Sequence, residues 1–132
     1  MKNSFTIKST NGKAQLELKP HDKDSFVANL QDVTLNASAG ICHFGGDGID
    51  GYFKELADNW MGWTGTKQWE SLESTLRFEA SSDRTGHITL NVQLDEGTPY
   101  DWRLKVILII EAGQLEKISS DARNFAISIG AA

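Results

Sequence analysis

The chain has 132 residues, with 18 Asp and Glu against 13 Lys and Arg and a formal net charge of −5. That length is expected to form one domain, 1–132, with a core of its own. The acidic balance argues against nucleic acid as a partner, because a phosphate backbone demands clustered Lys and Arg.

Phe5 and Ile7 alternate with Thr6 and Lys8, and Asn11-Gly12 follows, a strong short hairpin signal. A two-residue turn there pairs Ile7 with Leu16 and Phe5 with Leu18, so the apolar sets share a face. Residues 19 to 24, Lys-Pro-His-Asp-Lys-Asp, read as a polar turn. Phe26, Ala28 and Leu30 then mark a third strand. Leu35, Ala37, Ala39 and Ile41 alternate at the opposite parity, which a tight turn at Gln31-Asp32 or a bulge in one long strand would produce; the turn is the preferred reading. Gly45-Gly46-Asp47-Gly48 breaks the strand pattern. Phe53, Leu56, Ala57 and Trp60 recur at helical spacing, which predicts a helix over about 50–60, capped by Asp47 or Asp50 and ended by Gly62 and Gly65. Trp69 falls in a short strand.

The stretch from Leu76 to Leu94 reads as one hairpin. Leu76, Phe78 and Ala80 alternate with charged or polar residues, as do Ile88, Leu90, Val92 and Leu94. The two apolar sets meet if Asp83 opens a type I turn and Gly86 takes the left-handed position of a one-residue bulge. The pairs are then Asp83 with His87, Ala80 with Leu90, Phe78 with Val92 and Leu76 with Leu94. A slip of one residue would turn one apolar set towards water. Residues 95 to 99, Asp-Glu-Gly-Thr-Pro, read as a loop, and a last strand runs over about 100–111. Ile107 and Ile109 make that strand apolar on both faces near its end, which predicts a central strand covered by a helix. Leu115, Ile118, Ala122 and Phe125 supply the stripe of such a helix. The expected fold is α+β: a mainly antiparallel, meandering, twisted sheet of about seven or eight strands with two helices, one mid-chain and one C-terminal.

Trp60-Met61-Gly62-Trp63-Thr64-Gly65, then Trp69-Glu70-Ser71-Leu72-Glu73, Asp83-Arg84-Thr85-Gly86-His87 and Gly113-Gln114-Leu115 occur in that order. Together they resemble a small bacterial family of unknown function with W-x-G-W-x-G, W-x-S-L-E, D-x-x-G-H and G-Q-L signatures. The resemblance covers about 51–125 and leaves the N-terminal third out. That family is in turn distantly similar to immunity proteins of wall-associated bacterial toxins. The resemblance implies a small cytoplasmic protein that binds a toxin domain, and it carries over no catalytic residues.

Candidate sites follow from residue chemistry. Asp83 and His87 share the polar face, where a carboxylate can orient a general base or a metal ligand; no third group is evident, and a pair that locks the turn is the simpler reading. Cys42 and His43 are adjacent, so in a strand they point to opposite faces and do not form a nucleophile–base pair. The glycines at 45–48 precede a helix but lack the ending of a phosphate loop, and Asp47 opposes an anion. Trp63 and Trp69 suit either packing of the helix–strand connection or a contact surface, with Glu70, Glu73 and Glu79 nearby. Three scattered His and one Cys give no metal-ligand spacing, and no cofactor motif occurs.

The charge is uneven: residues 25 to 80 carry eight acids against Lys54, Lys67 and Arg77, which suits a basic partner and equally suits a solvated face. Cys42 is the only cysteine. With no apolar leader and no apolar run of membrane length, a cytoplasmic protein without membrane contact is expected. The leading reading is a non-enzymatic binding protein, with Trp63, Trp69, Glu70, Glu73, Asp83 and His87 as candidate contacts. The alternatives are a small-molecule binder with a pocket between helices and sheet, and an enzyme built on Asp83, His87 and a nearby Glu.

Overall fold

The computed structural model describes residues 4–83, 85–96 and 101–130. Two antiparallel four-stranded meanders follow one another along the chain, and each leads into a helix. The first holds β1 (Phe5–Lys8), β2 (Gln15–Asp22), β3 (Ser25–Gln31) and β4 (Asn36–Cys42), and passes through a 3-10 turn at Gly45–Gly48 into α1 (Ile49–Asp58). The second holds β5 (Thr66–Glu70), β6 (Leu76–Ser82), β7 (His87–Glu96) and β8 (Trp102–Glu111), and leads into α2 (Leu115–Ser128). The α+β class, the antiparallel meander and both helix positions match the expectation; the strands divide into two sheets. Where the sheets meet, the Thr10 N–H donates to the Ile109 carbonyl at 2.9 Å, and the Ile109 N–H donates to Ser9 Oγ at 2.9 Å. A hydroxyl there takes the place of a ladder carbonyl, so the sheets touch without merging.

Period-two alternation sets the registers. Phe5 pairs with Leu18 and Ile7 with Leu16. In the central hairpin Leu76 pairs with Leu94, Phe78 with Val92 and Ala80 with Leu90, as expected. Its turn has Gly86 at φ +96°, and the Asp83 N–H donates to the His87 carbonyl at 3.1 Å. The first hairpin keeps its expected register with a different turn: neither Asn11 nor Gly12 has a positive φ, and the Thr10 N–H leaves the hairpin for β8.

Several boundaries differ from expectation for identifiable reasons. β2 continues through Pro20 to Asp22, with a bulge between them, and turns only at Lys23-Asp24. Pro20 lies opposite Phe26 of β3 at the edge of a bulge, a strand position that tolerates proline. The Asp22 carboxylate closes that turn by accepting the Asp24 N–H and the Ser25 hydroxyl, each at 2.9 Å. The turn into β4 lies at 32–35 rather than at Gln31-Asp32, with reciprocal Asp32 and Leu35 backbone bonds. Asp95 and Glu96 extend β7 instead of opening a loop, opposite Arg103 and Trp102. The Arg103 guanidinium reaches the buried Asp95 carboxylate at 2.9 Å. The rest of the expected loop, 97–99, and Tyr100 lie outside the described residues. β8 ends its sheet's pairing order, and only its Ile109 end is flanked by the first sheet. Ile107 is 55% exposed, so the strand is not covered on both faces.

Trp60 does not belong to the core. α1 stops at Asp58, the Asn59 side chain donates to the Glu55 carbonyl at 2.8 Å, and Gly62 at φ +114° turns the chain away. Trp60 is 58% exposed, and Trp63 is the buried tryptophan of this connection.

The core is one contiguous cluster. α1 contributes Ile49, Tyr52, Phe53 and Leu56, and α2 contributes Leu115, Ile118, Ala122, Phe125 and Ala126. Phe53 of α1 lies 5.3 Å from Phe5 in the first sheet and 5.4 Å from Phe78 in the second, ring centre to ring centre. Phe125 of α2 meets Phe26 and Phe5, both in the first sheet, at 5.3 and 6.2 Å. Each helix therefore reaches the sheet of the other half, α1 while also packing against its own. Phe53→Ala is expected to cost about 3–5 kcal/mol, whereas Trp60→Ala should change stability by no more than about 0.5 kcal/mol. Urea denaturation of the two variants checks both.

Candidate functional site

The hairpin turn gathers Asp83, Thr85 and His87, and β8 adds Glu111. One Asp83 oxygen accepts the Thr85 N–H at 2.8 Å and the His87 N–H at 3.1 Å. The other lies 3.3 Å from His87 Nδ1, while His87 Nε2 lies 3.5 Å from Glu111 Oε2. Thr10 Oγ1 reaches that same Glu111 oxygen at 3.3 Å. The third group that sequence reading lacks is thus Glu111, brought in by the strand register His87↔Glu111. Period-two logic extended from β7 to β8 would find it. The Thr85 backbone N–H, then its hydroxyl, draw the Asp83 carboxyl from 3.8 down to about 2. Two backbone donors on one exposed carboxylate make this a turn lock that also holds an imidazole between two acids.

The tryptophans and the glycine turn form a second assembly. Asp47 sits at φ +55°, inside the turn that precedes α1. One of its carboxylate oxygens accepts the Phe44 N–H and the other the Leu72 N–H, each at 2.9 Å. Its carbonyl accepts Trp69 Nε1–H at 2.9 Å. The Trp69 ring in turn stacks on Phe78 at 5.1 Å. Asp47 therefore neither caps α1, whose N-cap is Gly48, nor leaves the turn free for an anion. It ties the β4–α1 connection to the β5–β6 loop. Trp63 is 8% exposed and donates to the Ala80 carbonyl at 3.3 Å, with the Lys67 ammonium 5.8 Å from its ring. Lys67 also pairs with Glu55 at 2.7 Å and accepts the Tyr52 hydroxyl on its carbonyl at 2.8 Å. Burial pushes that hydroxyl's pKa up.

The six candidate contacts do not converge. Trp63 and Trp69 are engaged in packing. Glu70 is exposed and paired with Arg77 at 3.8 Å, and Glu73 lies in the β5–β6 loop. Asp83 and His87 stand at the far end of the hairpin, roughly 20 Å along β6 by the rise of an extended strand. His43 is buried: its Nδ1 accepts the Gly46 N–H at 3.1 Å, and its ring lies 5.6 Å from Phe26. Cys42 faces outward, away from His43, as alternation requires. Burial, then the Glu73 carboxylate, raise the Cys42 thiol's pKa, which makes it a poor nucleophile.

Two of the concavities among the described residues stand out. One of about 590 Å³ lies on the outer, polar face of the second sheet, between Gln68, Glu79, Asn91, Gln93 and Lys105. The other, about 410 Å³, is a groove between α1 and the start of α2 beside Trp60. The space between helices and sheets is occupied by the phenylalanine rings described above. Sequence reading also missed two surface residues. Phe44 is 84% exposed and Leu72 is 61% exposed, and nothing in alternation marks either, because both lie in connections.

Among the described residues no group of three or more His, Cys, Asp or Glu is placed to hold a metal ion, and no helix is long and apolar enough to cross a membrane. The chain belongs to a family of unknown function (DUF6228), whose model matches residues 8–128. The match takes in the N-terminal third that the sequence signatures leave out. No curated protein matches the chain.

Asp47→Ala removes the acceptor for two backbone donors and is expected to cost about 2 kcal/mol in urea denaturation. Asp47→Asn keeps one acceptor oxygen and tolerates the left-handed conformation, so it should cost less. The folded Asp83 pKa lies below its unfolded value, so its stabilisation is present above pH 3.8 and is lost as pH falls through about 2. Asp83→Ala should therefore be less stable than wild type at pH 7, with the gap narrowing towards pH 2. Melts from pH 7 to pH 2 check the direction.

Proposed function

We propose that this member of a family of unknown function is a cytoplasmic, non-enzymatic protein that binds another protein and neutralises it by covering its active face, as a toxin-immunity protein does. The observation that carries the reading is the set of large apolar side chains held out to solvent on ordered connections. Phe44 and Leu72 stand on either side of the Asp47 carboxylate, and Trp60 and Met61 stand at the end of α1. Large apolar groups kept in water on well-fixed backbone are the mark of a contact surface. The tryptophan and hairpin segments resemble a family that is in turn distantly similar to immunity proteins of wall-associated toxins, which supports the same reading.

Affinity-tagged chain produced in its native cells is expected to recover one protein in stoichiometric amount. That protein should be toxic when produced alone and harmless when co-produced with this chain. Recovery of no stoichiometric protein, or of one whose activity is unchanged by the chain, overturns the reading.

The concavity on the outer face of the second sheet favours a second reading, a small-molecule binder. Its volume suits a metabolite, and its amide and charged lining suits a polar one. A ligand at one hundred times its Kd adds about 2.7 kcal/mol of stability. A thermal-shift screen of polar metabolites should then show a rise that Asn91→Ala and Gln93→Ala abolish, and the absence of any such ligand removes this alternative.

A further inference from the structure

The end of the molecule where β2 turns into β3, β4 leaves for α1 and β5 turns into β6 combines two kinds of surface. At its centre are Phe44 and Leu72, whose backbone N–H groups are both held at 2.9 Å by the Asp47 carboxylate. The backbone that carries these two exposed side chains is therefore fixed before any partner arrives, which lowers the ordering cost of docking. Around them acids outnumber bases: Asp22, Asp24 and Glu73 stand against Lys23, and the His43 N–H, next to Phe44, donates to the Asp24 carbonyl at 3.0 Å. Glu73 adjoins Leu72, and Glu73, Asp22 and Asp24 all act on Cys42 two residues before Phe44, each making the thiolate harder to form. Lys23 is exposed in the β2–β3 turn, between the two aspartates. An apolar centre inside an acidic rim is the complement of an apolar pocket inside a basic rim.

We propose that this end docks a basic protein whose Lys and Arg side chains surround an apolar pocket that takes Phe44 and Leu72. The proposal rests on the reading of the chain as a protein-binding protein and adds where it binds and what chemistry the partner presents. Steering by the acidic rim sets how fast the partner arrives, and the two apolar side chains set how long it stays.

The single native cysteine supplies the test, because Cys42 is exposed within this surface. A benzophenone maleimide is attached to Cys42 at mildly alkaline pH, and the labelled full chain is irradiated in extract of its native cells. Two control chains carry the same label at the helix end (Cys42→Ser with Trp60→Cys) and on the polar sheet face (Cys42→Ser with Ile107→Cys). The expected result is one cross-linked protein of basic isoelectric point from the Cys42 label. The purified partner should then bind Phe44→Ser/Leu72→Ser about 30-fold more weakly than wild type. It should bind Asp24→Lys/Glu73→Lys about tenfold more weakly at low salt, and the wild-type affinity should fall as salt is added. Because Phe44 and Leu72 are exposed, their double variant should keep the wild-type melting temperature, which separates lost docking from lost folding.

A cross-link only from the Trp60 or Ile107 label overturns the placement and leaves protein binding standing. A cross-link from Cys42 to an acidic protein or to a second copy of this chain overturns the basic partner, as does an affinity unchanged by the charge reversal. No cross-linked protein from any of the three labels overturns both the placement and the binding reading.

Discussion

A file of aromatic rings runs through the protein from Phe26 to Phe125, Phe5, Phe53, Phe78 and finally Trp69, with neighbouring centres 5.1 to 6.2 Å apart. It crosses between the two halves, and the rest of the architecture depends on it. The sheets themselves share little backbone bonding where β1 meets β8. What unites them is that α1 inserts Phe53 between a ring of each sheet, while α2 sends Phe125 back to the first. Rings of this size bury more apolar surface than any other side chain, and edge-to-face contacts such as Phe5 with Phe53 add a directional preference. The outer faces of the sheets stay polar because nothing is left to cover them.

Trp69, the last ring of that file, is also where core and surface are coupled. Its ring stacks on Phe78, and its indole N–H holds the carbonyl of Asp47. The carboxylate of the same aspartate then holds the backbone of Phe44 and Leu72. A chain of contacts thus passes from the centre of the fold to two exposed side chains in three steps. This gives a physical role to segments that read in sequence as an unexplained glycine run and an unexplained tryptophan motif. The positive φ of Asp47 costs conformational energy, and four hydrogen-bonding groups of its neighbours hold it there.

How far the sequence could be read follows from which forces are local. Phe78 opposite Val92 was legible because strand periodicity is two and a wrong parity would put Leu90 in water. The same logic placed Phe5 opposite Leu18. Trp60 misleads because helical spacing is compatible with a residue two positions past the helix end, and only the Asn59 bond to Glu55 and the turn at Gly62 decide the matter. Ile107 misled for the opposite reason: an apolar residue on a strand was read as covered, and it is exposed. Glu111 beside His87 could be read only by carrying the β7 register on to β8, and Asp47 beneath Leu72 is a pairing across many residues of chain that no local pattern records. Phe44 and Leu72, the exposed residues on which the binding reading turns, carry no periodic signal because they lie in connections.

The exchange of partners between helices and sheets also bears on how the chain is made. The ring that α1 touches in the second sheet, Phe78, emerges from the ribosome only after α1 does. Phe125, which meets both Phe26 and Phe5, comes near the end of the chain. The first meander can therefore pack Phe5 on Phe53 early, but Phe26 meets the ring of Phe125 only when the end of the chain arrives. Contacts of such long sequence separation make for slow closure, so the nascent first half is the part that holdase chaperones would need to shelter.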